Sequence, residues 1–187
     1  MNRIHHWLCA SNSWRETLRD DVMPWALRGV DLGENVLEIG PGPGLTTDFL
    51  RERIARITSL EIDPGLANSL RSRMRGSNVE VVEGDASEMP FSDESFSGAV
   101  SFTMLHHVPK AELQDKLLRE TRRVLKPGAT FAGVDSRSSW MMKLLHIGDV
   151  INLVDPDTFA ARLENAGFED VFLETTPRRF RFRARRA

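Results

Sequence analysis

A wound, largely parallel α/β sheet is the fold this sequence predicts, and three observations lead there. From Asn35 onward, short apolar runs alternate with longer segments of helical periodicity. The first run empties into a turn with glycine at every second position. Polar residues then stand at the ends of successive runs. Strands separated by helices pair in parallel, because each crossover must return over a face of the sheet, and such crossovers are right-handed.

The elements follow in order. Up to about Gly29, Trp7, Leu8, Trp14, Leu18, Val22, Trp25 and Leu27 recur at roughly helical spacing and predict one or two amphipathic helices. Pro24 is placed to bend or restart the second. Val36–Ile39 is the first strand, followed by a helix to about Ala55. Arg56–Ile62 and Pro64–Met74 are the next strand and helix, and Val79–Val82 the third strand. Phe96–Phe102 precedes a helix over Lys110–Leu125, and Thr130–Val134 is the fifth strand. A Ser/Arg-rich stretch and an apolar segment, Trp140–Ile147, come next. Asp155-Pro156-Asp157 then opens a helix with an N-cap acid, a first-turn proline and a second acid at the positive end of the dipole. Gly167 ends it, and strands near Phe168–Thr175 and Arg179–Ala184 meet at Pro177 as a hairpin.

At 187 residues the chain fits one domain with a continuous core. A charged fraction of 28% against 41% hydrophobic excludes a disordered chain. The formal net charge of −2 argues against the whole-domain basic field of a general nucleic-acid binder. Cys9 is the only cysteine, which rules out an internal disulfide and disfavours a cysteine-based metal site. His5, His6, His146 and Asp149 match no ordinary ligand spacing, so no metal is expected. The opening residues lack the apolar run of a signal peptide, and no stretch approaches the roughly 18 apolar residues of a membrane span. A cytoplasmic setting is the expectation. The oligomeric state is left open.

The chemistry gathers at the ends of the predicted strands. In Val36-Leu37-Glu38-Ile39-Gly40-Pro41-Gly42-Pro43-Gly44, glycines let a ligand approach the backbone without meeting a β-carbon. Gly40, Gly42 and Gly44 give G-x-G-x-G, whereas the dinucleotide fingerprint needs its third glycine where Leu45 stands. Glu38, two places before the first glycine, repels a phosphate and suits an ammonium group. Glu61 ends the second strand, where a carboxylate can accept both hydroxyls of a ribose or simply remain solvated. Gly84-Asp85-Ala86 follows the third strand. Asp85 can accept from an adenine amine, and an Asx turn explains it equally well. Ser101-Phe102 closes the fourth strand beside the glycine turn. Ligands bind outside the carboxyl ends of such sheets at the topological switch point, and four features fall there in the order a nucleoside needs.

With those motifs, the sequence closely resembles the class I S-adenosylmethionine-dependent methyltransferases, most of all the type 11 small-molecule group. The likeness runs from about Asn35 to Val134 through VLEIGPGPG, LEIDP, GDASEMPFSDESF and RVLKPGATF. It implies a Rossmann-like seven-stranded sheet of order 3-2-1-4-5-7-6, strand 7 antiparallel, with helices on both faces. It also implies S-adenosylmethionine as cofactor and S-adenosylhomocysteine as product. Residues 1–187 would form one methyltransferase domain: a helical cap over 1–29, a donor-binding core over 35–134, and an acceptor-side insertion, helix and hairpin over 136–187. By resemblance, Glu38, Gly40, Pro41, Gly42 and Gly44 surround the amino-acid part of the donor. Glu61 holds the ribose, Ile62 packs on the adenine, and Asp85 with Ala86 marks the adenine edge. Ser101 and Phe102 approach the methionine moiety.

The expected acceptor is a small apolar or aromatic molecule. Its walls would come from Trp7, Trp14, Trp25, Trp140, Met141 and Met142, which serve equally well to cap the sheet. His106 and His107 stand near the acceptor, either as a base or as helix-start residues making local hydrogen bonds. From Arg179 to Arg186 arginine alternates with Phe or Ala, which puts Phe180, Phe182 and Ala184 on one strand face and arginines on the other. That pattern leaves open an RNA or protein acceptor, or else a covered arginine face. A catalytically silent binding scaffold is the remaining alternative.

Overall fold

A computed structural model describes residues 12–137 and 151–187 of the chain. It opens with helix α1 (Asn12–Thr17), a π-helical turn over Leu18–Val22, and α2 (Met23–Ala26). Pro24 has no N–H to continue the regular ladder, so the widened turn lies before it and Pro24 stands in the first turn of the next helix. The core then alternates β1 (Asn35–Ile39), α3 (Leu45–Leu50), β2 (Arg56–Glu61), α4 (Pro64–Arg73), β3 (Val79–Glu83) and β4 (Phe96–Phe102). A 3₁₀ turn at Leu105–His107 leads to α5 (Ala111–Val124) and β5 (Leu125–Ser136). Helix α6 (Pro156–Asn165) and the strands β6 (Phe168–Thr175) and β7 (Arg179–Arg186) complete the described chain.

The seven strands form one sheet of order β3-β2-β1-β4-β5-β7-β6. All neighbours are parallel except at β7, which runs antiparallel to both β5 and β6. The order reverses between β1 and β4, so the switch point lies at their carboxyl ends. There Ile39 is paired with Ser101, and Glu38 with both Ser59 and Val100.

Alternating side chains feed two cores. On one face Leu37, Ile39, Phe131, Phe180 and Phe182 pack with Leu117, Leu118, Phe159 and Leu163 of α5 and α6. Phe182 lies edge-on to Phe131 and Phe159 at 5.0 and 5.1 Å between ring centroids. On the other face Val36, Ile57, Val100, Phe102 and Val134 meet Leu18, Val22, Met23 and Ala26 of the opening helices.

The arginine face of β7 lies under those opening helices. Arg181 is 6% exposed; it donates from Nη1 to the carbonyls of Trp25 and Arg28 at 2.7 and 3.3 Å and pairs with Glu174 at 2.6 Å. Arg183 donates to the Gly29 carbonyl at 3.1 Å. The Arg28 and Gly29 carbonyls lie just past the end of α2, where the helical ladder has run out, and the two guanidinium groups supply partners there. Of the two arrangements the sequence leaves open, Arg181 adopts the covered one, while Arg183 stays exposed and reaches back to a carbonyl.

Two boundaries differ from the sequence reading. Helix α3 stops at Leu50, not near Ala55, because the Asn78 amide donates to the carbonyls of Arg51 and Ile54 at 3.0 and 2.6 Å and closes the turn early. Strand β5 begins at Leu125, five residues before the predicted start. Phe96 pairs with Leu125 but Gly98 with Thr130, so Lys126–Ala129 bulge out of the ladder before the regular run. Trp7, Cys9, Trp140, Met141, Met142 and the residues His5, His6, His146 and Asp149 lie outside the described residues. Among the described residues no helix is long and apolar enough to cross a membrane.

Candidate functional site at the carboxyl rim

Glu38 is buried on β1, and its carboxylate is caged by three hydroxyls. Thr46 donates to Oε1 at 2.6 Å, while Thr47 and Ser59 donate to Oε2 at 2.6 and 2.7 Å. Burial pushes the carboxyl above its ordinary value, and the three hydroxyls pull it back. The side chain expected beside an ammonium group is thus committed beneath the loop. Its effect there is to pin α3 and β2 to β1 and to hold the glycine turn between them.

Two glycines of that turn are required for different reasons. A β-carbon on Gly40, at φ +65°, would collide with the Met104 side chain. Gly42, at φ +54°, would meet nothing within 4 Å, so its open side faces space beyond the rim. Gly44 lies beneath Leu70 and Arg73, whose Nη2 donates to its carbonyl at 3.1 Å. Pro41 is buried between them and accepts from the Gly44 N–H at 2.9 Å.

Glu61 reaches this loop from the tip of β2. Its Oε2 accepts from the Gly42 N–H at 2.9 Å, and its Oε1 from the Asp63 N–H at 3.0 Å. The next residue, Ile62, is 65% exposed, a large apolar side chain lying uncovered at the rim. Asp85 is exposed past β3 and accepts from the Ser87 N–H at 2.7 Å, the Asx turn that the sequence allowed. Ala86 is half-buried against the main core. Ser101 and Phe102 are buried at the tip of β4. Ser101 Oγ has no hydrogen-bond partner among the described residues, an unusual state for a buried hydroxyl.

Just beyond, Thr103 adopts φ +51°, a strained conformation for a β-branched residue. Its N–H donates to the Val134 carbonyl at 2.7 Å, which turns the chain out of the sheet and lays Met104 on Gly40. The rim thus brings Gly42, Glu61, Ile62, Asp85 and Ser101 to the ends of four adjacent strands.

His106 is buried in the 3₁₀ turn, with Nδ1 2.5 Å from Asp135 Oδ1. The His106 N–H donates to Asp135 Oδ2 at 3.2 Å, and the Ser136 N–H to Oδ1 at 2.6 Å. Asp135 is fully buried on β5. His107 stacks on His106 with centroids 4.2 Å apart. Sequence reasoning missed Asp135, together with the hydroxyls of Thr46, Thr47 and Ser59. A polar residue closing the apolar run Phe131–Val134 is the signal that marks Asp135, the same signal that marked Glu61.

A family model described as a methyltransferase domain matches residues 37–133, which covers β1 through most of β5. A fatty-acid O-methyltransferase of Mycolicibacterium smegmatis is 35% identical over 107 residues, 56% of this chain and 38% of that protein. A probable ribosomal RNA small subunit methyltransferase A of Natronomonas pharaonis is 34% identical over 157 residues, 78% of this chain and 56% of that one. Among solved structures, a Pyrococcus horikoshii protein superposes with a TM-score of 0.82 at 17% identity, over 96% of this chain and 94% of that one, and shares the fold. The chain spans about two fifths of the length of the first curated relatives it matches. On the match across its central sheet, the chain belongs to the class I, type 11 family of S-adenosylmethionine-dependent methyltransferase domains.

Proposed function

We propose that the protein transfers the methyl group of S-adenosylmethionine to a small, apolar or aromatic acceptor and releases S-adenosylhomocysteine. The observation that carries this reading is the carboxylate of Glu61 hydrogen-bonded across the rim to Gly42, where a ribose and the glycine turn would meet. The residues present fit such a donor. The open side of Gly42 admits a ligand against backbone, Ile62 offers an uncovered apolar surface, and Ser101 Oγ is a buried hydroxyl in need of a partner.

Bound there, the donor supplies a methyl carbon activated by positive sulfur. The chain's tasks are to align and to exclude water. Glu61 would accept the ribose hydroxyls, Ile62 would cover one adenine face, and Asp85 with Ala86 would border its edge. Gly40, Pro41, Gly42 and Gly44 would flank the amino-acid end, with Glu38 holding the turn from below. Ser101 and Phe102 would meet the methionine portion. In this reading residues 35–134 hold the donor, and the flanking segments build the acceptor wall.

His106 gains a role from its partner. The Asp135 carboxylate fixes the imidazole from its Nδ1 side, which orients the ring whose part as a base the sequence leaves open for acceptors that must lose a proton. An RNA acceptor keeps support in the ribosomal RNA methyltransferase relative, but Arg181 and Arg183, part of its motivation, are held by backbone carbonyls.

Calorimetric titration with S-adenosylhomocysteine tests the proposal. Saturable binding in the micromolar range is expected, and absence of heat at millimolar ligand would overturn it.

A further inference from the structure

The turn between β6 and β7 lies at the same carboxyl rim, since Arg179 pairs with Ser136 at the end of β5. Between this turn and the opening helices runs a groove of about 300 Å³, lined by Asp21, Trp25, Thr176, Pro177, Arg178 and Arg179. Its walls are firm. The Thr176 N–H donates to the Arg179 carbonyl at 2.8 Å, and the Arg137 N–H to the Arg178 carbonyl at 2.9 Å. The Arg137 guanidinium donates to the Thr176 carbonyl at 3.0 Å.

The charge is unbalanced. Arg178 and Arg179 line the groove, Arg137 braces it through the Thr176 carbonyl, and Asp21 is the one carboxylate among the described residues that line it. Asp21 reaches only Arg179, at 3.5 Å, with its side chain 72% exposed, so that pair is weak. Arg178 is exposed, and its guanidinium has no hydrogen-bond or ion-pair partner among the described residues. Trp25 supplies an aromatic wall and packs on the cluster that contains Phe102 and Val134.

We infer that this groove binds a carboxylate group of the methyl acceptor, with Arg178 and Arg179 as its forked donors and Trp25 against its apolar body. Guanidinium matches carboxylate in planar, paired hydrogen bonds, and an open cationic groove with an aromatic wall selects an aromatic or aliphatic acid over a neutral molecule. The inference rests on the methyltransferase reading for what lies at the other end. From β7 to β4 is two strand spacings, about 10 Å, so the acid group and the methylated atom stand at roughly that separation.

The probes are 2-naphthoate and its uncharged analogue 2-naphthamide, titrated calorimetrically into the full chain with S-adenosylhomocysteine present. The acid is expected to bind at least tenfold more tightly than the amide. The double variant Arg178→Gln/Arg179→Gln is expected to remove that preference while its melting temperature and S-adenosylhomocysteine affinity stay unchanged. Equal binding of acid and amide, no binding of either, or a preference that survives the double variant would overturn the inference. A chain that fails to bind S-adenosylhomocysteine overturns the methyltransferase reading instead, whichever way the acid behaves.

Discussion

The two ends of the rim are held together by contacts of very different reach along the chain. On the β1–β2 side, Glu38 is bound to residues 8, 9 and 21 positions away, and Gly42 to Glu61, 19 away. On the β7 side, Arg181 meets the Trp25 carbonyl across 156 positions, Arg183 the Gly29 carbonyl across 154, and Arg179 meets Asp21 across 158. The first side is a local device that carries its own geometry wherever the chain places it. The second exists only when distant parts of the chain are already docked, which costs more closure entropy before any contact forms.

Substitutions can break or sharpen this division. The largest effect is expected for Glu61→Ala, which removes the carboxylate that the proposed function sets against the ribose. S-adenosylhomocysteine should bind about a hundredfold more weakly, roughly 2.7 kcal/mol, by calorimetry. An affinity within twofold of the parent would remove Glu61 from the site.

Arg181→Ala comes next. It strips the Trp25 and Arg28 carbonyls of a buried cation and leaves Glu174 without its nearest partner. About 2 kcal/mol of stability should be lost in urea unfolding, with donor affinity unchanged. A parallel loss of donor affinity would show that the two sides are one unit.

The smallest effect belongs to Glu38→Gln and is read against pH. The folded Glu38 carboxyl titrates above its ordinary 4.5, so the stability linked to it is fully present below that value and is lost as pH rises through the folded value. Melting temperature should therefore fall less on going from pH 4.5 to neutrality in the variant than in the parent. Parallel curves would mean that the three hydroxyls keep the carboxylate charged despite its burial.

The same division explains what was legible. The glycine turn and Glu61 could be read from sequence because local spacing sets them, whereas the strand order came from the family resemblance. The close of α3 could not, since it depends on the Asn78 amide arriving from the start of β3. Nor could the His106–Asp135 pair be assigned, because two strands had to be placed side by side to bring them within 2.5 Å. Alternation in β7 gave the correct faces, with Phe180 and Phe182 in the core. It did not say what the arginines would meet, since the carbonyls of Trp25, Arg28 and Gly29 that receive Arg181 and Arg183 are fixed by tertiary packing alone.

The position of β7 has a consequence for synthesis. This strand follows β6 in the chain but lies between β6 and β5, so neither β6 nor the arginine clamp can join the sheet before it emerges from the ribosome. Until then β5 presents a long bare edge of unpaired amides, the kind of surface that recruits other growing chains. A slow or interrupted passage through the β6–β7 hairpin would leave β1 to β5 assembled and the unguarded strand open to aggregation.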